Sequence, residues 1–172
     1  MFPERQKGWE MTKFDSMIIE CEERIKELAG DAQEVANEHW RFHYRENAGR
    51  PPREKGRLNV WVRARKGGLE ISWTHFRFVK HAGAVSSRPK SIHITKGRGN
   101  KYRAHSLTVR AKDWEIDQVL ETEEKLAEIR AEYASVRKII TYAKEVNKKA
   151  AKRLGQPRKE SGNQEVLGGE VA

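Results

Sequence analysis

The chain has 172 residues, with 35 Lys or Arg against 25 Asp or Glu, a formal charge of +10 and a mean hydropathy of −0.89. One domain is expected at that length; five Trp argue against a disordered chain, and the single Cys21 excludes an internal disulfide and a Cys-based zinc centre and suits a reducing cytosol. No apolar run approaches the ~18–20 residues of a membrane span, and the charged opening MFPERQKGWEMTKF lacks an apolar signal core, so a cytoplasmic protein with no membrane partner is expected.

Residues 1–11 carry no periodic pattern and are expected to be loose. From Thr12, a candidate cap, Phe14, Ile18, Cys21, Ile25, Leu28, Ala32, Val35, His39 and Phe42 alternate in spacings of four and three. That is the seam of a coiled coil on a helix over 12–46, ended by Gly49 and Pro51–Pro52.

The pattern then changes to period two. In LNVWVRAR (58–65), Leu58, Val60, Val62 and Ala64 share one face, and Asn59, Trp61, Arg63 and Arg65 share the other. Lys66-Gly67-Gly68 reads as a hairpin turn, because Gly tolerates the positive φ such turns need. LEISWTHFRFVK (69–80) returns as a strand with Leu69, Ile71 and Trp73 on one face and a blurred alternation at His75–Phe76 that suggests a bulge. KSIHITK (90–96) reads as a third strand with Ile92 and Ile94 inward. The result is a basic β-meander over 57–97, with loops to 106.

The second helix is expected over 108–154, with Val119, Thr122, Leu126, Ile129, Tyr133, Val136, Ile140, Ala143, Asn147, Ala150 and Leu154 on its seam and Trp114 packing just before them. Gly155-Gln156-Pro157 ends it, and residues 155–172 form a polar, flexible tail. A lone helix with one narrow apolar stripe is unstable in water. The fold expected is therefore α+β: a single domain over 12–154 in which two long helices form an antiparallel coiled-coil-like stem with an inserted three-stranded antiparallel meander. A homodimer through the same seams is the other arrangement the spacing allows.

The charge is segregated. Residues 50–112 hold 17 Lys or Arg and only two acids, Glu54 and Glu70, which makes +15; the remaining 109 residues hold 18 basic and 23 acidic groups, which makes −5. Segregation of this kind points to a polyanion, and double-stranded DNA is the partner expected. The exposed sheet face would present Trp61, Arg63 and Arg65, joined by Arg77 and His93, with Arg63, Arg65 and Arg77 near base edges; a β-ribbon has the width to enter a major groove. The loops would add Lys66, Lys80, Arg88, Lys90, Lys96, Arg98, Lys101 and Arg103 as phosphate contacts. Within ITKGRGNKYRAHS, Gly97 and Gly99 allow close backbone approach and Tyr102 can stack on a base; no Walker ending follows.

Other chemistry is weakly supported. His39 and His43 have the i,i+4 spacing of two zinc ligands without a third, so neither metal nor cofactor is expected. Metal-assisted phosphodiester cleavage needs clustered carboxylates, and the basic block offers only Glu54 and Glu70, with Glu70 the group to test. Tyr102 lacks the partners of a nucleophile, Ser86–Ser87 lack a base, and Cys21 sits on the seam, so no enzyme is expected. Glu121, Glu123, Glu124, Glu128 and Glu132 read as a solvated helix face. The alternatives are an RNA-binding module stacking bases on Trp61 and Tyr102, and a coiled-coil adaptor.

The order of elements, with LEISW (69–73), the approach from Tyr102 to Leu107 and WEIDQVLETEEKLAEIR (114–130), resembles MobI-type auxiliary proteins of conjugative elements. The resemblance spans roughly residues 12–150 and carries no catalytic signature. It implies a non-enzymatic DNA-binding accessory factor that acts at a transfer origin and helps a relaxase start DNA mobilisation.

Overall fold

A computed structural model describes residues 13–65, 68–79 and 87–154. Two long helices, α1 (Lys13–Ala48, 36 residues) and α3 (Ile116–Leu154, 39 residues), flank strands β1 (Leu58–Arg65), β2 (Gly68–Val79) and β3 (Arg88–His93) and a short helix α2 (Ala104–Thr108). The protein is α+β, with one antiparallel sheet in the order β1-β2-β3. The expected terminal segments, 1–11 and 155–172, lie outside the described residues, as do Thr12, Lys66 and Lys80.

The two helices run antiparallel. Asn147 donates to Asp15 at 2.7 Å, Arg24 pairs with Glu132 at 2.7 Å, and Glu38 meets Lys125 at 3.6 Å, so ascending positions on α1 meet descending ones on α3. On α3, Val119, Thr122, Leu126, Val136, Ile140 and Ala143 are buried, as the spacing anticipates. On α1 the buried stripe runs through Leu28, Ala32, Ala36, His39 and His43. It departs from the anticipated seam after Ala32, because from there α1 meets the sheet as well as α3.

α3 also starts later than position 108. α2 ends at Thr108, and a 3₁₀ turn over Asp113–Glu115 intervenes. Glu115 accepts a hydrogen bond from the Lys112 N–H at 2.8 Å, which caps that turn and sets where the long helix begins.

The sheet packs its Leu58, Val60, Ile71 and Trp73 side on the helices, and these residues form one core with Ala32, Ala36, Ile94, Leu107, Val119 and Leu126. Register is continuous through β2: Leu58 pairs with His75 and His75 with Ile92, without the bulge anticipated at His75–Phe76. Ile94 follows β3 and donates its N–H to Trp73 at 2.9 Å.

Two buried polar clusters tie the parts together. Glu123, 1% exposed, accepts from both Arg130 terminal nitrogens (3.0 and 2.8 Å), from Trp73 Nε1 (2.7 Å) and from the Tyr102 N–H (2.7 Å). Arg130 also donates to the Ile71 and Asn100 carbonyls. Glu123 is therefore the hub joining sheet, loop and α3, and the expectation of a solvated glutamate is corrected. The second cluster is sparser. His39 stacks on His43 with ring centres 5.7 Å apart, and His43 Nε2 lies 3.3 Å from the buried Glu115 carboxylate.

Candidate nucleic-acid interface

The sheet alternation sorts Arg63 and Arg65 as expected: both are exposed, on the side away from Leu58 and Val60. Trp61, 38% exposed, shares that side, and the Arg63 guanidinium sits 5.2 Å above its ring. The face is not open along its whole length. Asn59, Ser72 and Thr74 are buried in its middle, where the Asn59 Oδ1 and Thr74 Oγ1 atoms lack hydrogen-bond partners among the described residues.

Arg77 does not join this face. With no bulge, it stays in phase with Trp73 and His75 and points to the helix side of the sheet, beyond the covered core. Lys90 is its direct cross-strand partner, and Arg88, two residues earlier in β3, is opposite Val79 on the same side. The expectation that Arg63, Arg65 and Arg77 form one base-proximal set is corrected by this register.

Tyr102 is corrected more sharply. It is 4% exposed, its hydroxyl accepts the Trp73 N–H at 3.2 Å, and the Arg130 guanidinium lies 5.1 Å from its ring centre. Burial raises the phenol's pKa, and the Trp73 N–H and Arg130 only partly offset this. A ring so enclosed cannot stack on a base.

The loop around Tyr102 is a built turn. Gly97 and Gly99 take φ of 82° and 89°, a left-handed conformation that favours glycine. Lys96 donates its ammonium to the Gly99 carbonyl, and Lys101 pairs with Glu124. Arg98 and Arg103 stay exposed and make no ion pair among the described residues.

A further group of cations lies elsewhere. A cleft of about 330 Å³ opens between the 51–57 segment, β2 and the α2–α3 connection, lined by Lys55, Arg57, His75, Arg77, Arg110 and Lys112 and by no carboxylate. Its walls are firmly held. Asn47 accepts from the Gly56 N–H at 2.8 Å and donates to the Gly56 carbonyl at 3.3 Å, which fixes the 51–57 segment to the end of α1. Trp114 donates to the Glu54 carbonyl at 3.0 Å. Gly56 has no alternative here, because a Cβ would lie 2.3 Å from Glu115 Oε2.

Arg110 spends one donor on the Ser106 carbonyl at 2.7 Å and keeps the rest of its guanidinium fork for the cleft. Burial, then Arg110 and Arg77, lowers the pKa of His75, so the imidazole is neutral among these cations. Lys55, Arg57, Arg110 and Lys112 were not singled out in sequence, because they come from segments more than 50 residues apart. Only folding brings them together.

Among the described residues no group of three or more His, Cys, Asp or Glu is arranged to hold a metal ion, and no helix is long and apolar enough to cross a membrane. His39 and His43 belong to the core instead. Trp40 donates to the Val60 carbonyl at 3.3 Å and Phe42 lies against Trp114, while Tyr44 stacks on Trp40 and stays exposed.

Fold and site together define a small α+β protein in which a helix pair supports a meander whose surface gathers unpaired cations. The chain belongs to the MobI family: the family model described as MobI protein matches residues 28–144, which takes in the C-terminal part of α1, the sheet, the cleft and the greater part of α3. The family is an accessory mobilisation family, and membership fits a mobilisation-related role. No curated protein and no solved structure matches the chain.

Proposed function

We propose that this protein is a non-enzymatic accessory factor that binds double-stranded DNA at a transfer origin and helps a relaxase begin conjugative mobilisation. The observation that supports this most is the cleft in which Lys55, Arg57, Arg77, Arg110 and Lys112 converge without a carboxylate. Cations so placed neutralise phosphates and release counterions, which gives affinity from electrostatics alone. Arg63 and Arg65 form a second exposed basic point on β1. Six residues of strand separate Arg57 from Arg63, roughly 20 Å, a length a duplex covers in about six base pairs. One duplex can therefore reach both.

The helix pair acts as a coiled-coil-like stem that supports the meander and offers a protein partner such as a relaxase a face to grip. Exposed acids on that stem, Glu128 among them, suit a basic partner surface. The cytosol is the compartment this role requires. The RNA reading loses one of its two stacking residues, since Tyr102 is buried.

The test is a competition by fluorescence anisotropy at fixed salt between an origin-derived duplex, an unrelated duplex and a structured RNA. The origin duplex is expected to win, and Arg63→Ala/Arg65→Ala to narrow its advantage over the unrelated duplex. Equal binding to all three would remove the sequence-specific reading; no binding to any would remove the DNA reading.

A further inference from the structure

Beside the basic cleft, and sharing Lys55, Arg57 and Phe76 with it, lies a groove of different character. It encloses about 550 Å³ and is lined by Phe76, Phe78, Pro52 and Pro89, with Lys55 and Arg57 at its rim. Phe76 and Phe78 stand two apart on β2 and so share one sheet face, and Pro89 is the cross-strand partner of Phe78. Phe78 is 54% exposed, and the Arg57 guanidinium lies 5.3 Å from its ring centre. Nothing among the lining residues is acidic.

We propose that this groove receives an unstacked base of the bound DNA, with the adjoining phosphates held by Lys55 and Arg57. The inference rests on the DNA-binding reading above and adds a substrate feature to it: an unpaired nucleotide beside a duplex. A base is flat and aromatic with no charge of its own, and its phosphates are anionic at a fixed distance. The groove and cleft offer that same pairing, an aromatic floor joined to a cationic wall by three shared residues, Lys55, Arg57 and Phe76. Stacking on aromatic side chains holds bases with little regard to sequence, because every base has a π-face. Arg57 already sits against Phe78, so a base could share the ring's surroundings with a cation that faces its phosphate. A cationic ligand would be repelled, and a neutral apolar one would make no use of Lys55 and Arg57.

The experiment uses two duplexes of equal length at one salt concentration. One is fully paired; the other carries a single unpaired 2-aminopurine, whose fluorescence changes when it stacks. The protein is expected to bind the second roughly tenfold more tightly and to quench the probe. Phe78→Ala, at a half-exposed position, should keep its affinity for the paired duplex and its melting temperature while losing both the preference and the quenching. Phe78→Trp should restore them. Equal affinity for the two duplexes without quenching overturns the proposal and leaves duplex binding standing, as does a preference that survives in Phe78→Ala. Failure to bind either duplex overturns both readings. An acidic peptide carrying one Trp is the control for a protein ligand. If it binds the wild type but not Phe78→Ala, and the unpaired base brings no preference, the groove belongs to a protein partner and the proposal falls.

Discussion

The Glu123–Arg130 cluster and the Lys55–Arg77–Arg110 cleft are both rich in charge, and they treat it in opposite ways. In the first, a fully buried carboxylate meets a bidentate guanidinium, an indole N–H and a backbone N–H. In the second, cations converge with no counterpart, and Arg77 stands directly across the sheet from Lys90. Like charges directly opposite one another on a sheet are destabilising. A satisfied network joins sheet, loop and helix; an unsatisfied one does not stabilise the fold and, under the proposed function, is where a partner of opposite sign would bind. The contrast separates residues that hold the fold from residues available to a ligand.

Breaking the satisfied cluster should give the largest effect. Arg130→Leu leaves Glu123 buried and unpaired, and removing one partner of a buried ion pair costs about 3–5 kcal/mol. Urea denaturation should show that loss. Replacing Glu123 and Arg130 together by apolar residues should recover part of it, because neither charge is then left alone. If Arg130→Leu unfolds at the wild-type denaturant concentration, the network does not hold the parts together.

A smaller effect should appear with pH. Burial pushes the His39 pKa down to about 4, with His43 adding to the shift and the Leu58 backbone and then the Glu115 carboxylate partly opposing it. The sign follows from the unfolded chain, where histidine takes up a proton near pH 6.5 while the folded protein does so only near 4. Stability is unaffected above the unfolded value. It falls as pH drops from 6.5 toward 4, by up to about 3 kcal/mol if His39 acts alone. Thermal melts of wild type and His39→Phe across that window should converge at neutral pH and separate in acid, with the wild type falling faster. Parallel curves would mean that His39 does not titrate as its burial demands.

Much of this architecture can be read from periodicity. Spacings of three and four residues locate Val119, Leu126, Val136 and Ile140 in the core, and strict alternation puts Val60 inward and Arg63 outward. The hub could have been found the same way. Glu123 stands four residues after Val119 and Arg130 four after Leu126, so both fall along the buried stripe, and only the habit of reading a glutamate run as solvated hid them. Arg77 was readable too, since unbroken alternation from Leu69 places it with Trp73; the supposed bulge moved it to the wrong side. The shift of the α1 stripe to Ala36 and His43 was not readable, because it depends on where the sheet and the 3₁₀ turn dock. The cleft was not readable either. Its cations come from positions 55, 57, 77, 110 and 112, and no local pattern links them.

The most direct test of the contrast is the salt dependence of duplex binding by wild type and Arg77→Ala/Arg110→Ala, with denaturation of both measured alongside. The double variant should keep its stability within about 1 kcal/mol, since neither guanidinium makes an ion pair among the described residues and Arg110 gives up one exposed hydrogen bond to the Ser106 carbonyl. It should bind more weakly to every duplex, with a slope of log affinity against log salt shallower by roughly two. An unchanged slope with unchanged affinity would contradict the assignment of the cleft to DNA phosphate.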